Sequence, residues 1–570
     1  MRGPVRSGAV ILANLVDKAV AYVSPQAGVQ RMVHRAALEK GEQLRSPVEP
    51  GERISGPGGF NGGRSDRRAT KGWRAKARSA NADNAQRKTL IARAQDAYNN
   101  LPLATAVIDR RVTYVIGTGM MAIPQLDAER LGISEEQAAM LTAQIMRDYD
   151  RYMSSTDPDA ERVATGYEQQ EVVLRGRLII GDMLGIRVMP KDQRGRRYLM
   201  AWKLVEGSRV VSPHNHREGE QLGTNGPVVV HGVELDGYGA AVAYHVTKKA
   251  KTGTGSDRGP NDTIRIPAWG EKSPLPSAVL VMQKKRAEQA RGVSVLAPVL
   301  EVLKQISDLT EAELFAAIMT AMLAITYKSP GASELPEADY GAGDIVQADG
   351  QPETLATTGK SDYRMEAGTV LEIDTDSEVD ISSPGRPNPA FDPFFLALAK
   401  QLGAALETPV EVMMLAFNAS YTASKAALEN FYILVRREQA SIAAHWCDPH
   451  YFCWLWEQVA KGRYTLPGFL DDDLMQELWA DVRHRGDGKI SLNPQQEAKA
   501  LEIYEAHGWK TGAEITAELS GGDYAANVRV RGGEHRRFVA EELPVPNAKG
   551  GGAAPASDHR QNDGEDDNGE

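Results

Sequence analysis

The chain is 570 residues long and 42% apolar, with a formal net charge of −10. That length and apolar content provide for several buried cores and exclude a small stapled fold. Cys447 and Cys453 are its two cysteines, so a disulfide framework is excluded, as expected of a protein made in a reducing cytoplasm.

The N-terminal run Ala9–Val16 is too short, and too poor in a small-residue cleavage site, for a secretory signal, and reads as an arm or short helix. Residues 1–100 hold 18 Lys+Arg against 8 Asp+Glu. Such a basic start is either a solvated face or a surface for nucleic acid or an acidic partner. Arg45–Gly63 is rich in Gly, Pro and Ser and reads as a linker, so that ordered structure starts near residue 64.

Leu90, Ile91 and Ala94 then mark one helix. Val107, Ile108, Val112 and Val115 mark a second after Pro102, stopped by Gly117 and Gly119. Here glycines close a helix, whereas a dinucleotide fingerprint needs them to open one after a strand. Residues 134–185 read as mainly helical, and strand-like pairs begin at Leu184. Residues 228–247 read as a hairpin turning at Asp236–Gly237. Lys248–Asp262 is polar and glycine-rich, hence an exposed loop.

The longest helical pattern runs from Arg291 to Tyr327. Val295, Val299, Val302, Ile306, Leu309 and Ala312 recur at steps of three and four, and Phe315, Met319 and Met322 carry the stripe onward. Gly292, Ser294 and Pro298 mark its start. At 1.5 Å per residue the span is roughly 55 Å, the length of a strut. Glu301, Lys304, Asp308, Glu311 and Glu313 interrupt it and exclude a membrane span.

Residues 331–380 carry 13 Asp+Glu against 2 Lys+Arg. A Pro-rich stretch, Ser382–Phe391, leads into a helix over Pro393–Glu407 with Phe394, Leu398 and Leu402 on one face. Met413–Thr422 breaks regularity. A helix resumes over Ser424–Ala444 with Ala427, Phe431, Leu434 and Ile442, an aromatic stretch spans Trp446–Trp456, and two helices split near Gly508 fill Leu492–Leu519. From Pro546 the chain has almost nothing to bury and reads as disordered. The fold class is α+β.

Catalytic and metal motifs are poor. His445, Cys447, His450 and Cys453 are spaced too closely on a helix to set four ligands around zinc, and read as an aromatic packing patch with Trp446, Phe452 and Trp454. Gly486–Asp487–Gly488–Lys489 lacks the rest of a phosphate or calcium loop and reads as a turn. GxxxxGK[ST] does not occur, so the chain encodes no ATP-driven motor of that type. Asp374 and Asp376 lack the surrounding constellation of a metal nuclease.

Six stretches stand out in order: SPQAGVQR (Ser24–Arg31), RRAT with GW (Arg67–Trp73), NNLPLATAVIDRRVTYVIGTGM (Asn99–Met120), GVELDGYGAAVAYHV (Gly232–Val246), RAEQARGVSVLAPVL (Arg286–Leu300) and FNASYTASKAALENF (Phe417–Phe431). Together they resemble the lambda-type portal proteins of tailed bacteriophages, across most of the chain. Lys425 stands where the family pattern has arginine, which keeps the charge and loses the planar fork.

The resemblance implies an elongated, non-enzymatic subunit without metal or cofactor. Its parts would be an arm (1–63), an α/β wing (64–290), a first stem helix (291–328), an acidic clip (329–390) and a second stem helix (391–407). A tunnel loop with wing helices (408–480), a helical crown (481–545) and a disordered tail (546–570) would follow. It implies a ring, a dodecamer, at one capsid vertex of the virion, passing double-stranded DNA inward and outward. Expected partners are the terminase large subunit, head–tail connector proteins, and major capsid and scaffold proteins, with no membrane.

On that placement Met413, Met414, Phe417, Asn418, Tyr421 and Lys425 are the tunnel-loop candidates for contact with DNA. Val299, Ile306, Leu309, Phe315 and Met319 would pack the stem. Glu366, Glu372, Asp374 and Asp376 are candidates for an acidic clip face. Duplex DNA carries one charge per ~1.7 Å, so an acidic collar would let it slide where a basic one would hold it. The alternative for these acids is plain solvated surface.

Overall fold

The computed structural model describes residues 79–82, 86–192, 194–213, 216–222, 226–248, 263–270, 273–321, 326–328, 371–373, 390–416, 421–489, 493–541 and 543. The readings of the N-terminal arm, of the loop after Lys248, of most of the acidic insertion and of the tail lie outside them. The described residues belong to one unit, Arg78–Glu570.

Two helices come first, α1 (Arg87–Asn100) and α2 (Pro102–Val115), with Leu101 between them and Pro102 at the first helical position. There a missing N–H costs nothing. The stripe Val107, Ile108, Val112 and Val115 is buried as its spacing predicts. After β1 (Met121–Pro124) and the single turn α3 (Ala128–Leu131) come α4 (Glu135–Met153) and α5 (Gly166–Ile180). Both open on a reciprocal capping box, Ser134 with Gln137 and Thr165 with Glu168.

The sheet region follows as β2 (Asp182–Val188), β3 (Ala201–Glu206), β4 (Glu220–Gln221), β5 (Val228–Val230), β6 (Val233–Leu235), β7 (Ala241–Thr247), β8 (Thr263–Pro267) and β9 (Ala278–Met282). One sheet has the order β3–β2–β9 and another β4–β5–β6–β7–β8, with antiparallel neighbours throughout. The expected hairpin is therefore part of a larger sheet. A tight turn at His231–Gly232 divides its first run into β5 and β6, and Asp236 builds the second turn by accepting from the N–H groups of Tyr238 and Ala240 at 2.9 and 2.8 Å.

The long helix is shorter than its periodicity suggests. It runs as α6 from Leu300 to Ala321, and a strand, β10 (Thr326–Lys328), takes the place of the expected last turn. β10 pairs in parallel with β11 (Leu371–Ile373), which ties the entry of the acidic insertion to a strand near its far end. The return helix is α7 (Phe391–Ala405), followed by the short α8 (Val410–Met414) and by α9 (Tyr421–Ile442). A π turn, Ala443–Cys447, joins α9 to α10 (Asp448–Ala460).

Beyond α10 come α11 (Asp473–Ala480), β12 (Val482–Arg485), α12 (Pro494–Ala506) and α13 (Gly512–Ser520). β12 pairs with β1, Met121 opposite Arg485 and Ile123 opposite Arg483. The split between α12 and α13 falls at Gly508, as expected. α14 (Tyr524–Ala540) falls in the stretch expected to be helical from the resemblance, although Gly532 and Gly533 interrupt a weakly apolar sequence that shows no periodicity.

The largest core gathers α1, α2, α5, the first turns of α6, and α7 through the π turn, around Ile108, Leu174, Leu303, Leu402 and Phe431. A second core, rich in aromatics, lies between α4 and α10–α11. A third joins β2 and β9 to the five-stranded sheet.

Candidate functional site at the helix root and return turn

Asp182 begins β2 and is completely buried. Its carboxylate accepts from Arg291 Nε and Nη2 at 2.8 and 2.7 Å, from Arg87 Nη2 at 2.9 Å and from the Gly292 N–H at 3.0 Å. Arg291, also fully buried, donates further to the carbonyls of Gly207, Val210 and His231. Burial pushes the Asp182 pKa up, yet Arg291 and Arg87 outweigh it and hold the group below its usual 3.8. Burial lowers Arg87 to about 10 against the opposing pull of Asp182.

This knot corrects the expected helix start at Gly292. Committed to a carboxylate and three carbonyls, Arg291 fixes the chain in a non-helical course, and Val295 N–H donates to Leu178 C=O at 3.0 Å. Gly292 lies against Gly181, the left-handed residue (φ 106°) that ends α5; a Cβ on Gly292 would stand 1.8 Å from the Gly181 carbonyl oxygen. Only glycine fits that approach. Ser294–Val299 then winds in short turns until α6 begins.

Along α6 the environment changes. Val299, Leu303 and Ile306 are buried and Leu309 is half-buried, but Leu314 and Ile318 are exposed and Phe315 is 63% exposed. Beyond Leu309 the apolar stripe, with the expected stem-packing residue Phe315 on it, is exposed among the described residues. The side chain of Met319 lies outside the described residues. On α7 the same division recurs, with Ala399 and Leu402 buried and Phe394 and Leu396 exposed.

The return turn closes tightly. Thr408 N–H donates to Gly403 C=O at 2.9 Å, and a Cβ on Gly403 would stand 2.6 Å from the Thr408 carbonyl oxygen. Glu407 (φ 53°) and Leu415 (φ 52°), on either side of α8, both adopt the left-handed conformation, which costs a non-glycine residue about 1–2 kcal/mol. Within α8 Met413 is 2% exposed and belongs to the central core, whereas Met414 is 40% exposed beside exposed Leu415. Met413 is thus a packing residue and not a surface for DNA. Phe417 and Asn418 lie outside the described residues, as does the Tyr421 side chain. Lys425 is ion-paired with Glu497 of α12 at 3.3 Å, so its charge ties two helices together.

α9 is fixed by a second buried cluster that sequence reasoning missed. Glu438 receives Arg111 of α2 at 3.0 Å and Arg177 of α5, while Arg177 also donates to Ser441 Oγ at 2.9 Å. Arg111 reaches the Leu406 carbonyl at 3.4 Å, joining α9 to the end of α7. Burial lowers Arg111 to about 10; burial and then the Arg111 charge lower Arg177 to about 9. A helical Glu surrounded by apolar neighbours on α9 was the available signal.

The other candidates fall elsewhere. His450 is enclosed by aromatic rings, stacked on Trp202 at 5.7 Å, with its Nδ1 3.2 Å from the Tyr149 hydroxyl. Burial pulls its pKa down to about 3 and pushes the Cys453 thiol up to about 12. His445 is exposed, with Nδ1 2.7 Å from Ser441 C=O. Among the described residues no three His, Cys, Asp or Glu side chains converge as metal ligands, and no helix is long and apolar enough to cross a membrane. Glu366, Asp374 and Asp376 lie outside the described residues, and Glu372 sits on β11 opposite Tyr327.

The chain resembles known proteins over most of its length. The portal protein of Escherichia phage N15 is 21% identical over 472 residues, 79% of this chain and 84% of that protein. Portal protein B of Escherichia phage lambda is 20% identical over 433 residues, 73% of this chain and 78% of that protein. Among solved structures, the C12-symmetric neck of a native gene transfer agent particle matches 77% of this chain and 92% of its own at 12% identity and a TM-score of 0.35. The C6-symmetric neck of the empty particle matches 83% and 96% at 13% identity and a TM-score of 0.37. These superpositions are loose, and membership rests on sequence: the family model for phage portal protein, lambda family, matches residues 66–439, well over half of the chain. The chain belongs to the lambda family of phage portal proteins, which are structural proteins and not enzymes.

Proposed function

We propose that this portal protein works as a closed ring of twelve copies at one vertex of the virion, through which double-stranded DNA enters the capsid and later leaves. In this reading α6 and α7 are the stem, the insertion opened by β10 and β11 is the clip, α8 and the residues after it face the channel, and α12–α14 form the crown. Terminase would dock on the clip during packaging and connector proteins afterwards, with capsid and scaffold proteins around the ring.

The observation that carries the reading is the bare apolar row on the outer halves of α6 and α7. Leu314, Phe315, Ile318, Phe394 and Leu396 are all exposed in the single chain. Contiguous exposed apolar surface marks an interaction site, and a closed ring supplies each copy with two neighbours to cover it. Of the channel candidates, Met414 with Leu415 is the exposed pair at the return turn, suited by its lack of charge to sliding contact with a polyanion.

Negative-stain images and light scattering of the purified protein test this. The expected result is a ring with a central hole and a mass near twelve times the 62.0 kDa chain. A compact monomer that hydrolyses ATP or cuts DNA would overturn it.

A further inference from the structure

β12 reads Val482–Arg483–His484–Arg485, and alternate side chains on a strand leave opposite faces. His484 turns inward, its side chain fully buried beside Asp448. Arg483 and Arg485 therefore share the other face. There they meet Arg436 of α9 and Lys489 on the wall of a cavity of about 340 Å³, closed on another side by Glu514 and Glu518 of α13.

The acids around this cavity are already engaged. Asp487 accepts from Thr118 N–H and Oγ1 at 2.8 and 2.6 Å, Glu514 accepts from Thr511 N–H and Oγ1 at 2.9 and 3.1 Å, and Glu518 pairs with Lys510. Lys489 is held by Glu429. Arg485 spends one N–H on the Gly522 carbonyl at 3.3 Å, whereas Arg436 and Arg483 have no hydrogen-bond or ion-pair partner among the described residues. Two like charges two positions apart on one strand face, with a third on the facing helix, repel one another unless an anion lies between them.

We propose that this cavity is an oxyanion site that takes phosphate groups of a nucleic-acid backbone, with Arg436 and Arg483 as the donors and Arg485 behind them. A guanidinium presents paired N–H groups in the spacing of two phosphate oxygens, so arginines lining one cavity suit a phosphate better than lysines would. Phosphate reaches the protein either as duplex backbone or as the free ion. The choice of duplex rests on the conduit reading above, whereas the site itself stands on the arginine geometry.

Arginine modification of the full-length protein by phenylglyoxal, mapped by peptide mass, tests the site. A short synthetic duplex is expected to slow modification of Arg436 and Arg483 several-fold, while Arg437, paired with exposed Glu407 at 2.8 Å, serves as the reference. Protection by inorganic phosphate but not by duplex would overturn the nucleic-acid assignment, and protection by neither would overturn the site. Arg483→Gln and Arg436→Gln are each expected to reduce the slope of log affinity for the duplex against log salt by about 1; an unchanged slope overturns the proposal. Neither assay requires a ring. Protected arginines in a protein that never closes into a ring would sink the conduit reading only, and unprotected arginines in a good ring would sink this site only.

Discussion

The two halves of α6 carry the same apolar periodicity and meet opposite environments. At the root, Val299 and Leu303 belong to the central core and Ile306 is buried beyond them, just after the Asp182–Arg291–Arg87 knot. In the outer half, Leu314, Phe315 and Ile318 continue the stripe and are exposed among the described residues. A periodic stripe therefore reports that a surface will be covered, and leaves open whether the cover comes from the same chain or from another.

Breaking the root should do the most damage. Arg291→Met leaves Asp182 with only Arg87 and the Gly292 N–H, and strips a donor from the buried carbonyls of Gly207 and Val210 and the partly buried one of His231. Removing one partner of a buried ion pair costs about 3–5 kcal/mol, which denaturant unfolding would read directly. Arg291→Lys should rescue little of it, since one ammonium cannot serve two carboxylate oxygens and three carbonyls together. A loss below ~1 kcal/mol in Arg291→Met would show that the knot does not hold the helix root.

Smaller truncations sharpen the contrast along the helix. Ile306→Ala should cost about 2–4 kcal/mol through the cavity it leaves. Phe315→Ala, nine residues further on, should stay within ~0.5 kcal/mol in chains kept dilute enough not to associate. Equal costs at the two positions would mean that the outer half is packed within the subunit.

The pH dependence separates the root from the aromatic core. Burial, reinforced by the nearby His484, depresses the native pKa of His450 from its usual 6.5 to about 3. The native state thus refuses a proton that the unfolded chain accepts. Stability from this group is complete above pH 6.5 and declines as pH falls toward about 3, with a slope of at most ~1.4 kcal/mol per pH unit. Asp182 behaves differently. Its carboxyl is held below 3.8, so its contribution persists until the pH drops under that value. Unfolding midpoints for His450→Phe should lose the slope in the upper window and keep the lower one; an unchanged upper slope would assign it to another group.

Much of the fold was legible because it rests on local signals. Pro102, Gly117 and the stripe of α2 each have a short-range physical meaning, and α7, α9 and the break at Gly508 follow from periodicity and glycine. What failed depended on long-range pairing. Arg291 and Gly292 look like the start of a helix until Asp182, 109 positions earlier, is seen to claim the guanidinium. Met413 looks like a loop residue until α8 turns it inward beside Val412. Glu438 draws no notice in the sequence and Lys425 looks like a channel charge, yet one anchors two arginines and the other crosses to α12. Gly486–Asp487–Gly488 reads as a simple turn, yet the segment after β12 is irregular and its carboxylate pins the Gly117–Gly119 loop through Thr118.

The central claim is that the outer half of α6 is a contact between copies, and the most direct test is the assembly mass of a double variant, Phe315→Ser with Ile318→Ser, beside the parent chain. The account predicts a ring for the parent, and for the variant a folded chain of unchanged unfolding free energy that stays small at the same concentration. A variant that closes into rings of the parent's mass and stability would contradict it.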